Sequence, residues 1–200
     1  AASTLLNRDG AAISTEHSLA VAASVVDNRG GQIQALGDLA IDAGAGRIDN
    51  TGSLIRAAGQ ASLTAGQLVN AATPDGSGLG IEGRSLRIQT TDLDNRHGVL
   101  RADDTLALFA SGSVDNSGGL MSAGHTLRLA DNSPGSAAGS RTLSILNTAG
   151  TLIAGQLLDI DAAQLGGDGS LLSLGDITVR LTGDYNHSGV FRAAGNASLV

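Results

Sequence analysis

The chain has no cysteine, no tryptophan and no lysine, only two prolines, and just two glutamates, Glu16 and Glu82. Without cysteine there is neither a disulfide framework nor thiol chemistry. Aromatic residues make up only 2% of the 200 positions, which leaves almost no ring platforms on which sugars or bases could stack. The scarcity of lysine and glutamate removes the common helix formers, while 29 glycines and frequent Ser, Thr, Asn and Asp favour short strands and turns. No stretch reaches the roughly eighteen continuous apolar residues of a membrane helix. No charged-then-apolar leader opens the sequence, and Ala1 rather than Met stands first. All 12 basic residues are arginine and the net charge is −7, which disfavours nucleic acid and polyanionic glycans as partners.

What the chain does have is a repeat. Turns centred on Asn7, Asn28, Asn50, Asn70, Asn95, Asn116 and Asn147, a degenerate turn near Gly166, and Asn186 recur about every twenty residues. Apolar residues follow most of them at fixed offsets. After Asn28 come Ile33, Ala35, Leu39, Ile41 and Ala43; after Asn50 come Ile55, Ala57, Ala61, Leu63 and Ala65; Leu100 to Ala110 and Leu152 to Ala162 repeat the spacing. Even offsets place these side chains on one face of extended segments. A further apolar residue sits two before the asparagine, as in Leu5, Val26, Ile48, Leu68, Leu93, Val114 and Ile145. Three inward sides per unit predict an all-β parallel β-helix of about nine coils, forming one segment over residues 1–200. Each coil relies on its neighbours to bury its apolar face. The pattern is already running at both ends, which predicts a piece of a longer shaft.

Several finer expectations follow. The asparagines tolerate left-handed turns and form an amide ladder along the axis. Asp27, Asp49, Asp94 and Asp115 are solvated acids on the outer edge of those turns. Gly37, Gly59 and Gly195 supply positive φ in the tighter turns. Two insertions, residues 73–78 and 131–140, hold both prolines and extrude as passive loops.

No candidate chemistry emerges. His17, His97, His125 and His187 lack metal-ligand spacing and are expected to be exposed turn residues. Gly166 to Gly169 matches a calcium-binding repeat only weakly, because Leu171 stands where that pattern needs an acid; Asp168 and Gly169 are expected to make the eighth turn. A polysaccharide-cleaving β-helix enzyme would need clustered acids and sugar platforms, and Phe109, Phe191 and Tyr185 are the only aromatics. No catalytic, cofactor or metal residue is therefore assigned, and no enzyme is expected.

The segments Ile48 to Gly66 (IDNTGSLIRAAGQASLTAG), Val26 to Gly44 (VDNRGGQIQALGDLAIDAG) and Val114 to Ala130 (VDNSGGLMSAGHTLRLA) resemble the haemagglutinin repeats of filamentous haemagglutinin-like exoproteins. The similarity runs through essentially the whole chain. It implies a right-handed β-helical shaft in a large secreted bacterial surface protein, exported by a two-partner system through an outer-membrane transporter. It further implies an adhesive stalk that meets host-cell receptors or, alternatively, the toxin-delivery shaft of contact-dependent growth inhibition that reaches neighbouring bacteria. The fragment itself is expected to be monomeric.

Overall fold

A computed structural model describes residues 3–132 and 140–200. Among these residues there are twenty-five strands and no helix. Every strand pair is parallel, and each strand pairs with its counterpart one coil away. One face is a nine-stranded sheet that runs from Ala12–Thr15 to Val190–Ala193. The other two faces together form a 16-stranded sheet. They are continuous because Gln60–Val69 and Ser85–Asp94 run straight through a corner that separates two strands elsewhere. About nine coils at roughly 4.8 Å per parallel strand make a rod close to 40 Å long.

The inward rows are those the apolar spacing predicts. Ile33, Ile55, Ile81, Leu100, Met121, Leu152 and Leu171 stack on the first face, each fully buried. Leu39, Ala61, Leu86, Leu106, Leu127 and Leu158 stack on the second, and Val26, Ile48, Leu68, Leu93, Val114 and Ile145 on the third. Leu165 continues the third row, and Tyr185 pairs beyond it. Each buried Leu, Ile or Val contributes about 1.5–3 kcal/mol, and strand pairing stacks each on its counterpart in the next coil.

The turn after each ladder asparagine places its left-handed residue two positions on. Gly30, Gly52 and Gly118 have positive φ there, and so do Asp9, Ala72, His97 and Ala149. The asparagines themselves do not, which corrects the expectation that they would supply the left-handed turn. Gly37, Gly59 and Gly195 also lack positive φ. They are small because neighbouring coils come close: a Cβ on Gly59 would lie 2.2 Å from Asp38 Oδ1, and one on Gly195 2.3 Å from Asp176 Oδ1.

Because one backbone geometry recurs with different residues, paired substitutions should have opposite signs. Gly52→Ala meets no close neighbour yet forces Cβ into left-handed space, so it should cost about 1 kcal/mol. Ala149→Gly relieves the same strain and should raise the denaturation midpoint, less a few tenths of a kcal/mol for the freer unfolded chain. Urea titration of the two variants checks this, and shifts of the same sign would contradict it.

The insertions do not interrupt the stack. Gly80–Gly83 pairs with Leu54–Ala57 on one side and Val99–Ala102 on the other, across the 73–78 loop. That loop is less passive than expected. Thr73 is fully buried, its hydroxyl donates to the Asn70 carbonyl at 3.2 Å, and it accepts from the Val99 N–H at 3.0 Å. Of the second insertion, residues 133–139 lie outside the described residues. At its base, Asp131 Oδ2 accepts from the N–H groups of Thr142 and Leu143, at 2.5 and 2.7 Å, and so clips the loop's two ends together.

Candidate functional site

The most regular polar feature is the asparagine ladder. Each amide Nδ2 donates to Oδ1 of the asparagine one coil on: Asn7 to Asn28 at 2.6 Å, Asn28 to Asn50 at 2.7 Å, Asn50 to Asn70 and Asn70 to Asn95 at 2.8 Å, Asn95 to Asn116 at 2.7 Å, and Asn116 to Asn147 at 2.8 Å. From Asn28 through Asn147 the residues are fully buried. A carboxamide is suited to this because it carries donor and acceptor on one short side chain. The ladder is internal scaffolding with no free valence toward solvent.

The ladder stops at Asn147, whose Nδ2 turns to the carbonyls of Gly150 and Ser170 at 3.3 Å. Pairing sets Gly166 beside Leu146 and beside Asn186. Asn186 is thus one position out of the ladder and exposed, which corrects its assignment as a ninth anchor. His187 pairs with Gly167 and takes the ladder position instead. Asp168 does make the eighth turn as expected, its Oδ1 accepting from the Ala149 N–H at 2.7 Å.

His187 is also the exception among the histidines, since His17, His97 and His125 are exposed. Both ring nitrogens of His187 are shielded from solvent without a well-formed hydrogen bond. Burial pushes its imidazole below the ordinary value, with the Gly169 backbone and the Asp168 carboxylate pulling the other way. Among the described residues no three His, Asp or Glu side chains come together as a metal site.

Two of the four acids beside the ladder are not solvated, contrary to expectation, while Asp94 and Asp115 stay partly exposed. Asp27 and Asp49 are buried, and arginines close over them. Arg8 and Arg29 reach Asp27 at 2.9 and 2.7 Å, Arg47 reaches Asp49 at 2.8 Å, and Arg96 reaches Asp94 at 2.7 Å. Each carboxylate also accepts from the backbone N–H two residues on, in Arg29, Thr51, Arg96 and Ser117. The Arg29 hydrogen bonds hold the Asp27 carboxyl below the usual carboxylate range, and Arg96 does the same for Asp94.

A folded-state pKa below the unfolded one means stability that is present above the unfolded value and lost as pH falls through the folded one. The denaturation midpoint should therefore drop as the pH falls through and below the ordinary carboxylate range. Asp27→Asn should show a shallower drop, and a parallel acid limb in that variant would contradict the assignment.

A groove of about 720 Å³ lies on the outside of the first face. One wall is an aligned row of side chains from successive coils: Ser14, Gln34, Arg56, Glu82 and Arg101. Two residues further along four of these coils, Glu16, Leu36, Ala58 and Asp103 form the opposite wall, and the exposed Arg84 holds the same place in the coil of Glu82. Glu82 is gripped by Arg56 at 3.0 Å and Arg101 at 3.3 Å, and Asp75 of the 73–78 loop holds Arg101 at 2.6 Å. Sequence reading missed this groove. Its outward residues share no type and so leave no periodic signal, although the offset between the two apolar positions of each unit does mark where they stand.

This geometry, parallel coils locked by an amide ladder with polar outer faces, defines a structural β-solenoid. The haemagglutinin repeat model matches residues 1–78 and 157–200, and the chain belongs to this family of filamentous haemagglutinin-like proteins. The unmatched middle keeps the same coil, since Asn95, Asn116 and Asn147 continue one ladder. No curated protein and no solved structure matches the chain.

Proposed function

We propose that the chain is one continuous segment of the adhesive shaft of a secreted bacterial surface exoprotein. The observation that carries this is the stack of parallel coils, with haemagglutinin repeats matched in residues 1–78 and 157–200, whose recurring geometry is spent on extension rather than on a reaction centre. A rod held by inter-coil contacts sets a fixed distance between whatever lies at its two ends. Passage unfolded through an outer-membrane transporter fits a chain without cysteine, because no disulfide can lock it prematurely.

Antibodies against this segment should label intact cells that express the full-length protein, and loss of the protein should reduce attachment to host cells. Unlabelled intact cells would refute the surface assignment. Unchanged attachment together with lost killing of neighbouring bacteria in co-culture would instead assign the shaft to toxin delivery.

A further inference from the structure

We propose that the segment carries an acid-sensitive joint where its amide ladder has run out: protonation of His187 opens the coil that holds it, while the coils joined by asparagines stay closed. This goes beyond the adhesive reading and does not depend on it.

The joint begins with a missing side chain. Gly167 occupies the ladder position one coil after Asn147. Its φ is +107°, and a Cβ there would stand 2.6 Å from the Asn147 carbonyl carbon, so that coil contributes no amide. One coil further, His187 pairs with Gly167 and sets an imidazole where an asparagine would resume the ladder. A neutral imidazole carries one donor and one acceptor. Both ring nitrogens of His187 are shielded from water, yet neither has a hydrogen-bond partner. The amides from Asn7 to Asn116, by contrast, all reach the next coil.

A charge on this ring is poorly accommodated. From the eighth turn the Gly169 backbone and the Asp168 carboxylate favour the protonated form, but burial outweighs them. Asp168 Oδ1 is already engaged by the Ala149 N–H at 2.7 Å. On the strand of His187 itself, the Tyr185 ring lies 6.0 Å away between centroids and stays neutral, since burial raises its pKa. Asp184 is exposed, and Asn147, Thr148 and Ala149 bring no titratable group. The backbones close tightly beside the ring, because a Cβ on Gly189 would collide with the Gly169 carbonyl oxygen. An imidazolium therefore gains its hydration when Tyr185–His187 and Val190–Ala193 lift from the coil before them. A histidine whose folded-state pKa is depressed contributes stability above the unfolded value of about 6.5 that is lost as pH falls below it. That window lies above the carboxylate range in which Asp27 and Asp94 act, so the two responses separate.

The test is amide hydrogen exchange of the 200-residue chain at pH 7.5 and pH 5.5, followed by NMR and corrected for intrinsic exchange. The reporters are the N–H groups of Ser188 and Val190, which donate to the Gly167 and Gly169 carbonyls at 2.9 and 3.0 Å. Leu120, donating to the Gly98 carbonyl at 2.8 Å beside the intact ladder, is the reference. Protection at the two reporters should fall about three- to tenfold on acidification, ten being the limit for an unfolded pKa of about 6.5. Protection at Leu120 should change less than about twofold. His187→Asn, which cannot titrate, should abolish the fall, and His17→Asn, far from the joint, should keep it. The ring shifts of His187 in the unmodified chain give a second readout that needs no variant, with a midpoint below about 6.5. A smaller fall at the reporters, an equal fall at Leu120, a fall that survives His187→Asn, or a ring midpoint at or above that value would each overturn the proposal.

Discussion

Replacing Asn95 by alanine is expected to cost about 3 kcal/mol, by far more than any exposed substitution on the same coil. Asn95 is fully buried in the middle of the ladder. Its Oδ1 accepts from Asn70, and its Nδ2 donates to Asn116 and to the Gly98 carbonyl. Alanine removes both links, leaving the Asn70 donor and the Asn116 acceptor each short of a partner, and an unsatisfied buried polar group costs about 1–3 kcal/mol. Asn147→Ala should cost roughly half as much, because only Asn116 loses an amide partner there. Asn95→Asp separates shape from hydrogen bonding. The carboxylate still accepts from Asn70 but faces the Asn116 oxygen with no proton to give. Burial without a cation raises its pKa in the folded state, so its stability deficit should shrink as pH falls and the acid regains a donor. Chemical denaturation at neutral and mildly acidic pH measures both effects. A deficit that grows on acidification would mean that the ladder geometry is not what stabilises the coil.

The ladder was legible from sequence because its requirement is strict: one buried short amide per coil, so the same residue returns at each turn from Asn7 to Asn147. The inward rows were legible for a related reason, since burial selects apolar side chains at period two. Where selection acts on less than the identity of a residue, the sequence misleads. Asn186 copies the turn motif, but the core aligns Tyr185 with Leu165, and that pairing displaces Asn186 by one and brings in His187. Gly59 looks like a turn glycine, yet the Asp38 carboxylate of the neighbouring coil is what excludes a side chain. The arginines that cover Asp27 and Asp49 were invisible because a long flexible cation can reach its partner from several positions, so no fixed spacing records it. The groove walls escaped because their outward residues share no type from coil to coil.

Leu63→Asp should abolish cooperative folding of the central coils or lower their stability by more than about 4 kcal/mol, whereas Thr64→Asp should cost less than about 1 kcal/mol. The two positions are adjacent in the strand Gln60–Val69 and point to opposite sides. Leu63 is 1% exposed between Ile41 and Ile88 of the flanking coils. A carboxylate there loses the leucine's burial and finds no cation among those aliphatic neighbours, so it must either desolvate or break the stack. Thr64 faces outward, aligned with Asp42 and Gln89. Its aspartate variant meets one like charge across the ladder, a repulsion worth a few tenths of a kcal/mol that added salt should screen. The contrast tests more than one side chain. Each inward residue supports the coil above and the coil below, so a defect at Leu63 should also reduce amide-exchange protection at Ile41 and Ile88. Equal melting temperatures for the two variants would reverse the inside–outside assignment. Lost protection confined to residues 60–69 would show that coils fold independently, and a shaft built from mutually dependent coils could not then be the basis of its reach.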